Sequence, residues 1–209
     1  GSSIDGSVFY QKGEDVVVAG SLTKRPKDFD TIPSPYLTGL FDRYFDNDYL
    51  YPMIQTSRGC PFSCTYCWAG NKEASTMRHF SLERIFAELD YIVERRKDST
   101  NKRFSICDTN FGMYDKDEEI GNRLAEYQEK YNYPSSFGAP YALKRRERTV
   151  RIAKRVKSTN VCVSVQSTDQ KILKNVERPP IKIEECREIV KQLKASDIPV
   201  HTEIIAGLP

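Results

Sequence analysis

Three cysteines crowd a short stretch of the chain, Arg58-Gly59-Cys60-Pro61-Phe62-Ser63-Cys64-Thr65-Tyr66-Cys67-Trp68, with the spacing C-x3-C-x2-C. Thiolates at that density gather a soft metal. A cubane cluster has four irons, so three thiolates leave one iron without a protein ligand. That iron can take a small molecule, much as an open position separates catalytic from structural zinc. Gly59 and Pro61 suit a tight loop around such a cluster. Two other readings stand beside it. Cys64 and Cys67 also have zinc-knuckle spacing, with His79 as a further ligand. The third reading is three unliganded thiols. The flanking aromatics and the strand just upstream favour the cluster.

The chain has six cysteines in 209 residues and no visible secretory signal, which argues against a disulfide framework. Cys107, Cys162 and Cys186 lie in apolar contexts and are expected as buried thiols acting as small hydrophobes. With 32 basic against 29 acidic residues, the net charge of +3 does not suggest a dedicated nucleic-acid binder. The densest basic run, Lys144-Arg145-Arg146 with Arg148, reads as the solvated start of a helix. No run approaches the roughly 18 apolar residues of a membrane span, and the expected location is the cytoplasm. Gly1-Ser2-Ser3 reads as a leftover of cloning.

The elements that must position the cysteines alternate strand and helix. Residues 1–49 form an N-terminal hairpin and linker: Val8–Tyr10 and Val16–Ala19 pair, and Pro26, Pro33 and Pro35 mark the connector. A domain follows over residues 50–209. Expected strands are Tyr51–Thr56, Arg103–Asp108, Ser136–Tyr141, Asn160–Val165 and Val200–Ala206. Between them, Leu82, Ile85, Phe86, Leu89, Ile92 and Val93 recur at helical spacing behind Ser81 as N-cap. Lys116–Tyr131, Thr149–Lys157 and the stripe Ile183, Cys186, Ile189, Val190 and Leu193 are also helical. Such alternation implies a parallel α/β sheet with ligands at the carboxyl ends of its strands. Cys60, Asp108, Gln166 and Gly207 all fall at those ends. A barrel is incomplete at Pro209, so the chain is expected to be part of a longer polypeptide.

The cysteine spacing after a first strand resembles the signature of the radical S-adenosylmethionine (SAM) superfamily. Val165-Gln166-Ser167-Thr168-Asp169 with Ile172-Leu173 and Arg178 resembles its fourth-strand segment, and Glu203–Pro209 its fifth. The resemblance covers roughly residues 50–209. It implies a partial (β/α)6 TIM-like barrel with about five βα units present. A [4Fe–4S] cluster on Cys60, Cys64 and Cys67 would cleave SAM reductively to a 5′-deoxyadenosyl radical. An electron donor such as flavodoxin or ferredoxin is implied, with a small-molecule or peptide substrate. By the same resemblance, Tyr66 and Ile204 lie against the adenine. Asp108 and Asn110 lie near the methionyl amine. Ser164 and Gln166 face the ribose, and Arg178 meets the carboxylate.

Each of these residues has a structural alternative. Tyr66 and Ile204 could be packing residues, and Asp108 a turn cap. Ser164 and Gln166, alternating on one strand face, could be satisfied core polars. Arg178 could be a surface partner of Glu177 or Glu184. Two departures from the family pattern matter. Asp108-Thr109-Asn110-Phe111 stands where many members carry a Gly-Gly-Glu type motif, and no sixth strand is present. The variant resembles the subgroup that includes cobalamin-dependent members and methylthiotransferases; with the connector Thr31–Leu37 it points to cobalamin-dependent methylation or related functionalisation of an unactivated carbon. The connector resembles the link from a cobalamin-binding domain. No cobalamin-binding histidine motif is present; the histidines are His79 and His201. The rival functions are a methylthiotransferase-like enzyme acting on RNA and a zinc-stabilised interaction domain.

Overall fold

The computed structural model describes residues 3–21, 26–71, 74–180 and 182–209. Gly1 and Ser2 lie outside them. An antiparallel hairpin opens the chain, β1 (Val8–Gln11) on β2 (Val16–Ala19). The five parallel strands that follow are β3 (Met53–Ile54), β6 (Arg103–Ile106), β7 (Ser136–Gly138), β8 (Val161–Gln166) and β9 (Val200–Ile204). Between β3 and the first long helix sits a short antiparallel ribbon, β4 (Ser57–Arg58) with β5 (Arg78–His79). The helices are α1 (Leu82–Arg96), α2 (Asp115–Tyr131), α3 (Arg146–Arg155), α4 (Gln170–Asn175) and α5 (Ile183–Lys194).

Strand order follows chain order. β3 pairs with β6 and β6 with β7, all parallel, and β8 pairs with β9. The two groups meet where Thr159 donates its backbone N–H and its hydroxyl to the Phe137 carbonyl, at 3.0 and 2.9 Å. A doubly wound sheet reverses its strand order at a switch point; this one does not. It is a partial barrel with helices outside. Alternation along β6 shows the two faces. Phe104 and Ile106 are buried with Leu89, Ile92, Ile120 and Leu124 of the helices, while Arg103 and Ser105 line the inner cleft.

Local chemistry sets the ends of the elements. Ser81 caps α1 by accepting from the Arg84 amide at 3.1 Å, as its position before the apolar stripe predicts. α2 ends at Asn132 in the left-handed region, φ 51°. The first strand is shorter than the expected Tyr51–Thr56 because Thr56 leaves the ladder to bond with Asp108. The third stops at Gly138 rather than Tyr141, since Pro140 has no N–H to donate. The basic run forms the start of α3 and its neighbours, and arginines along it are paired with acids of neighbouring helices. Arg146 meets Glu185 at 3.1 Å, Arg148 meets Asp115, and Arg151 meets Glu118 at 2.8 Å.

Residues 29–50 pack on the barrel rather than crossing open solvent. Phe29 and Tyr36 are buried, and the Tyr36 hydroxyl donates to the Met53 carbonyl at 2.8 Å. Arg84 reaches the Ile32 carbonyl at 3.0 Å. Arg96 is 1% exposed and donates to the carbonyls of Phe45, Leu50 and Asn101 at 2.5, 3.2 and 2.9 Å. Arg96→Met keeps the stem but strands three carbonyls. It should cost about 2–4 kcal/mol, read as a lower midpoint in urea unfolding with an unchanged slope.

Among the described residues, no helix is long and apolar enough to cross a membrane. Of the three scattered cysteines, only Cys186 is buried. Cys107 is exposed, its thiol 3.2 Å from the Ile54 carbonyl, and Cys162 is half-buried on the inner cleft. Both were expected inside. β8 puts Cys162 on the lumen face, not the helix face, and Cys107 lies just past the end of β6.

Candidate active site

The cysteine loop emerges beyond the carboxyl end of β3. Gly59 opens it with φ 112°, a conformation that a β-carbon disfavours. A β-carbon there would also lie 2.7 Å from the Thr76 carbonyl oxygen and 2.9 Å from that of Ala74. The loop is tied down by backbone bonds. Cys60 N–H donates to the Ala74 carbonyl at 2.9 Å, Thr65 N–H to Val176 at 3.1 Å, and Cys67 N–H to Cys64 at 3.0 Å. Val176 follows α4, so the loop is braced against the segment that carries Arg178.

Donors converge on the sulfurs. Asn110 Nδ2 donates to Cys60 Sγ at 3.3 Å. Arg178 places Nη1 4.0 Å from Cys64 Sγ and donates from Nη2 to the Ser164 carbonyl at 2.6 Å. An amide donor on one sulfur and a cation beside another are the kind of outer partners that orient sulfur ligands of a metal. Arg178 is therefore not the surface partner of Glu177 or Glu184. The hydroxyl of Tyr66 is buried in this corner without a hydrogen-bond partner among the described residues. Burial chiefly holds its pKa above the ordinary phenol value, with Arg178 opposing.

One zinc ion with Zn–S bonds of about 2.3 Å would draw its thiolates to within about 4 Å of one another. Cys60, Cys64, Cys67 and His79 contain no set of three gathered within 4.8 Å; among the described residues only Cys162, His201 and Glu203 are. His79 instead sits in β5 with its ring edge-on to Tyr114, centroids 4.5 Å apart. Three spread thiols on a fixed loop, with donors at two sulfurs, fit a multi-iron cluster better than a single ion.

From the cysteine loop a cleft of about 770 Å³ runs down the inside of the barrel. Asn110, Ser164, Gln166 and Arg178 line it together. Ser164 and Gln166 reach it across a break in regular alternation: the β8–β9 register slips between them, and Gln166 has φ 68°. Gln166 Oε1 is buried and unpartnered among the described residues. Ser164 donates to Glu203 at 3.1 Å. A strained polar residue with a free acceptor in a cleft marks a ligand contact.

Two expected contacts fall elsewhere. Ile204 is 70% exposed and is not part of the cleft wall. Asp108 is 1% exposed and faces the strand behind the loop. Its carboxylate accepts from the Thr56 amide at 2.7 Å, the Thr56 hydroxyl at 2.5 Å and the Ser57 hydroxyl at 2.7 Å. These bonds occupy both oxygens, leaving Asp108 to fix the turn that launches the cysteine loop.

Residues the motifs did not flag complete the support. Thr109 donates its hydroxyl to the Gly59 carbonyl. Lys116 donates to the carbonyls of Thr56 at 3.1 Å and Phe80 at 3.2 Å, joining the ends of β3 and β5. Burial lowers its pKa. A lysine among acids at a helix start carries no sequence signal of this role.

The model of the radical SAM superfamily matches residues 54–209. The chain is 31% identical over 211 residues to the cobalamin-dependent radical SAM methyltransferase TokK of Streptomyces tokunonensis, an alignment covering 97% of this chain and 30% of that protein. It is 30% identical to 2-(S-pantetheinyl)-carbapenam-3-carboxylate methyltransferase of Streptantibioticus cattleyicolor, again covering 97% and 30%. Among solved structures, the cobalamin-dependent SAM radical enzyme OxsB superposes with a TM-score of 0.60 at 16% identity, over 97% of this chain and 30% of that one. The methyltransferase TsrM of Kitasatospora setae gives 0.58 at 13% identity, over 75% and 30%. The chain thus spans about 30% of the length of each of these relatives. With its cysteine loop at the carboxyl ends of a chain-ordered parallel sheet, and a match to the family over three quarters of its length, the chain belongs to the radical SAM superfamily.

Proposed function

We propose that the protein is a radical SAM methyltransferase that acts on an unactivated carbon with the help of cobalamin. One observation carries the radical part: three spread thiols at the carboxyl ends of the strands, with Asn110 on one sulfur and Arg178 beside another, open onto a large cleft. Cys60, Cys64 and Cys67 would hold a [4Fe–4S] cluster. Once bound and reduced, such a cluster would supply the single electron that cleaves the carbon–sulfur bond of SAM to methionine and a 5′-deoxyadenosyl radical.

The chain's own residues bind and orient. Arg178 offers a fixed, planar guanidinium for the methionyl carboxylate, and Asn110 a donor and acceptor near the amine. Gln166 presents its unpaired oxygen, and Ser164 its hydroxyl, to the ribose. Tyr66 closes the corner against water. The cobalamin part is supported by the two relatives at 30% identity or more and by the connector over residues 31–37. On that reading residues 1–49 join a cobalamin-binding domain to the radical domain at 50–209.

The test is anaerobic reduction of the full, reconstituted protein with SAM. Methionine and 5′-deoxyadenosine should appear; formation of S-adenosylhomocysteine alone, with every added substrate, would reject radical cleavage. In the same preparation Arg178→Lys should weaken SAM binding about ten- to a hundred-fold with iron content unchanged, since lysine has no planar fork.

A further inference from the structure

The cleft has a second end that the SAM contacts leave open. Asn110, Gln166 and Arg178 lie at the carboxyl ends of the strands. Arg103, Asn160 and His201 line the same cleft at the amino ends of β6, β8 and β9. Along β8, Cys162 and Gln166 are four residues apart, about 13 Å in an extended strand. The cleft therefore has room for a second molecule below SAM.

Arg103 is the unusual group at that end. Of the arginines lining the cleft, Arg146 is paired with Glu185, and Arg178 donates to a carbonyl. The Arg103 guanidinium has no carboxylate partner among the described residues. It rests on the Tyr51 ring, 4.4 Å from the centroid. Stacking holds the guanidinium plane in place and leaves its N–H edge free for a planar or tetrahedral anion. Of the acids lining the cleft among the described residues, Glu185 is paired with Arg146, and Glu203 is engaged by Ser164 at 3.1 Å and approaches His201 at 3.7 Å. His201 Nδ1 lies 3.1 Å from Asn160 Oδ1. The cleft is also open two residues up β6 from Arg103, beside Ser105, where a β-carbon on Gly138 would meet only Ser105 Oγ, at 3.9 Å.

We infer that Arg103, stacked on Tyr51 at the amino end of the cleft with His201 and Asn160, binds a carboxylate or phosphate carried by the small molecule on which the enzyme acts. This rests on the enzymatic reading above. It adds a substrate class and an orientation, with the anion deep in the barrel and the reacting carbon toward the cysteine loop.

The experiment titrates two compact probes, benzoate and phenylphosphonate, into the full reconstituted protein by calorimetry, with a separate SAM titration of each variant. Wild type should bind at least one probe; which one distinguishes a carboxylate from a phosphate substrate. Arg103→Met should weaken that probe at least ten-fold while SAM affinity and the cluster absorbance hold. Gly138→Val, which narrows the cleft above Arg103 beside Ser105 without touching a charge, should weaken the same probe, and Arg103→Lys should recover part of the binding. Probe binding that is absent in wild type, or equal in wild type and Arg103→Met, overturns the anion site. Failure of wild type to bind SAM would instead overturn the enzymatic reading itself.

Discussion

Alanine at Cys60, Cys64 or Cys67 should each abolish the cluster: iron near background, loss of its visible absorbance, and SAM cleavage reduced at least a hundred-fold. Loss of residues that merely surround a metal costs about 10–100-fold, and loss of a ligand should exceed that. No other cysteine can substitute. Cys107 bonds to the Ile54 carbonyl on β3, and Cys162 contacts Ser164 in the lumen. The fold should survive, since Cys60 and Cys67 lie outside the core and Cys64 is small. Circular dichroism on each variant separates loss of metal from loss of fold. His79→Ala is the matching control. The ring touches Tyr114 and is not gathered with the thiols, so iron content should not change. A His79→Ala protein that lost its metal, with zinc rather than iron in wild type, would return the loop to the structural-zinc reading.

What the sequence could and could not reveal divides along local and nonlocal lines. The Cys60–Cys67 spacing is local, so the metal loop was legible. The α1 stripe behind Ser81 and the stripe of α5 were legible for the same reason: a helix writes its buried face every three to four residues. Strand ends were less so, because β3 ends on a side chain 52 residues away, the Asp108 carboxylate that takes the Thr56 amide. The amino end of the lumen was not legible. Arg103, Ser105, Cys162 and His201 alternate with apolar neighbours as any half-buried strand does, and only closure of the sheet brings them to one cleft. Cys162 lies half-buried rather than buried on that account. The packing of residues 29–50 was also hidden, since it rests on Arg96 reaching three carbonyls and on the Tyr36 hydroxyl.

Asp108 is the sharpest case, because the family resemblance and the geometry give it different work. Resemblance puts it near the methionyl amine. The structure buries it behind the loop, with three donors from Thr56 and Ser57 on its two oxygens. The next residues carry the consequence forward: Thr109 bonds the Gly59 carbonyl and Asn110 the Cys60 sulfur. Asp108 thus couples the end of β6 to both sides of the loop entrance. Asp108→Ala leaves the Thr56 amide and two hydroxyls unpaired in a dry site, a cost of about 3–5 kcal/mol. In a chain of this size that lowers the melting temperature by about 10 °C. Reconstituted iron should fall with it, because Gly59 loses the frame that holds its left-handed turn. Asp108→Asn keeps one acceptor and should fall between wild type and alanine on both readouts. The amine-ligand role makes the opposite forecast for Asp108→Ala: full iron content, an unchanged melting temperature and a SAM dissociation constant raised at least ten-fold. Thermal melts and iron assays on the two variants, with SAM titration of whichever retains its cluster, decide between a residue that holds the loop and one that holds the ligand.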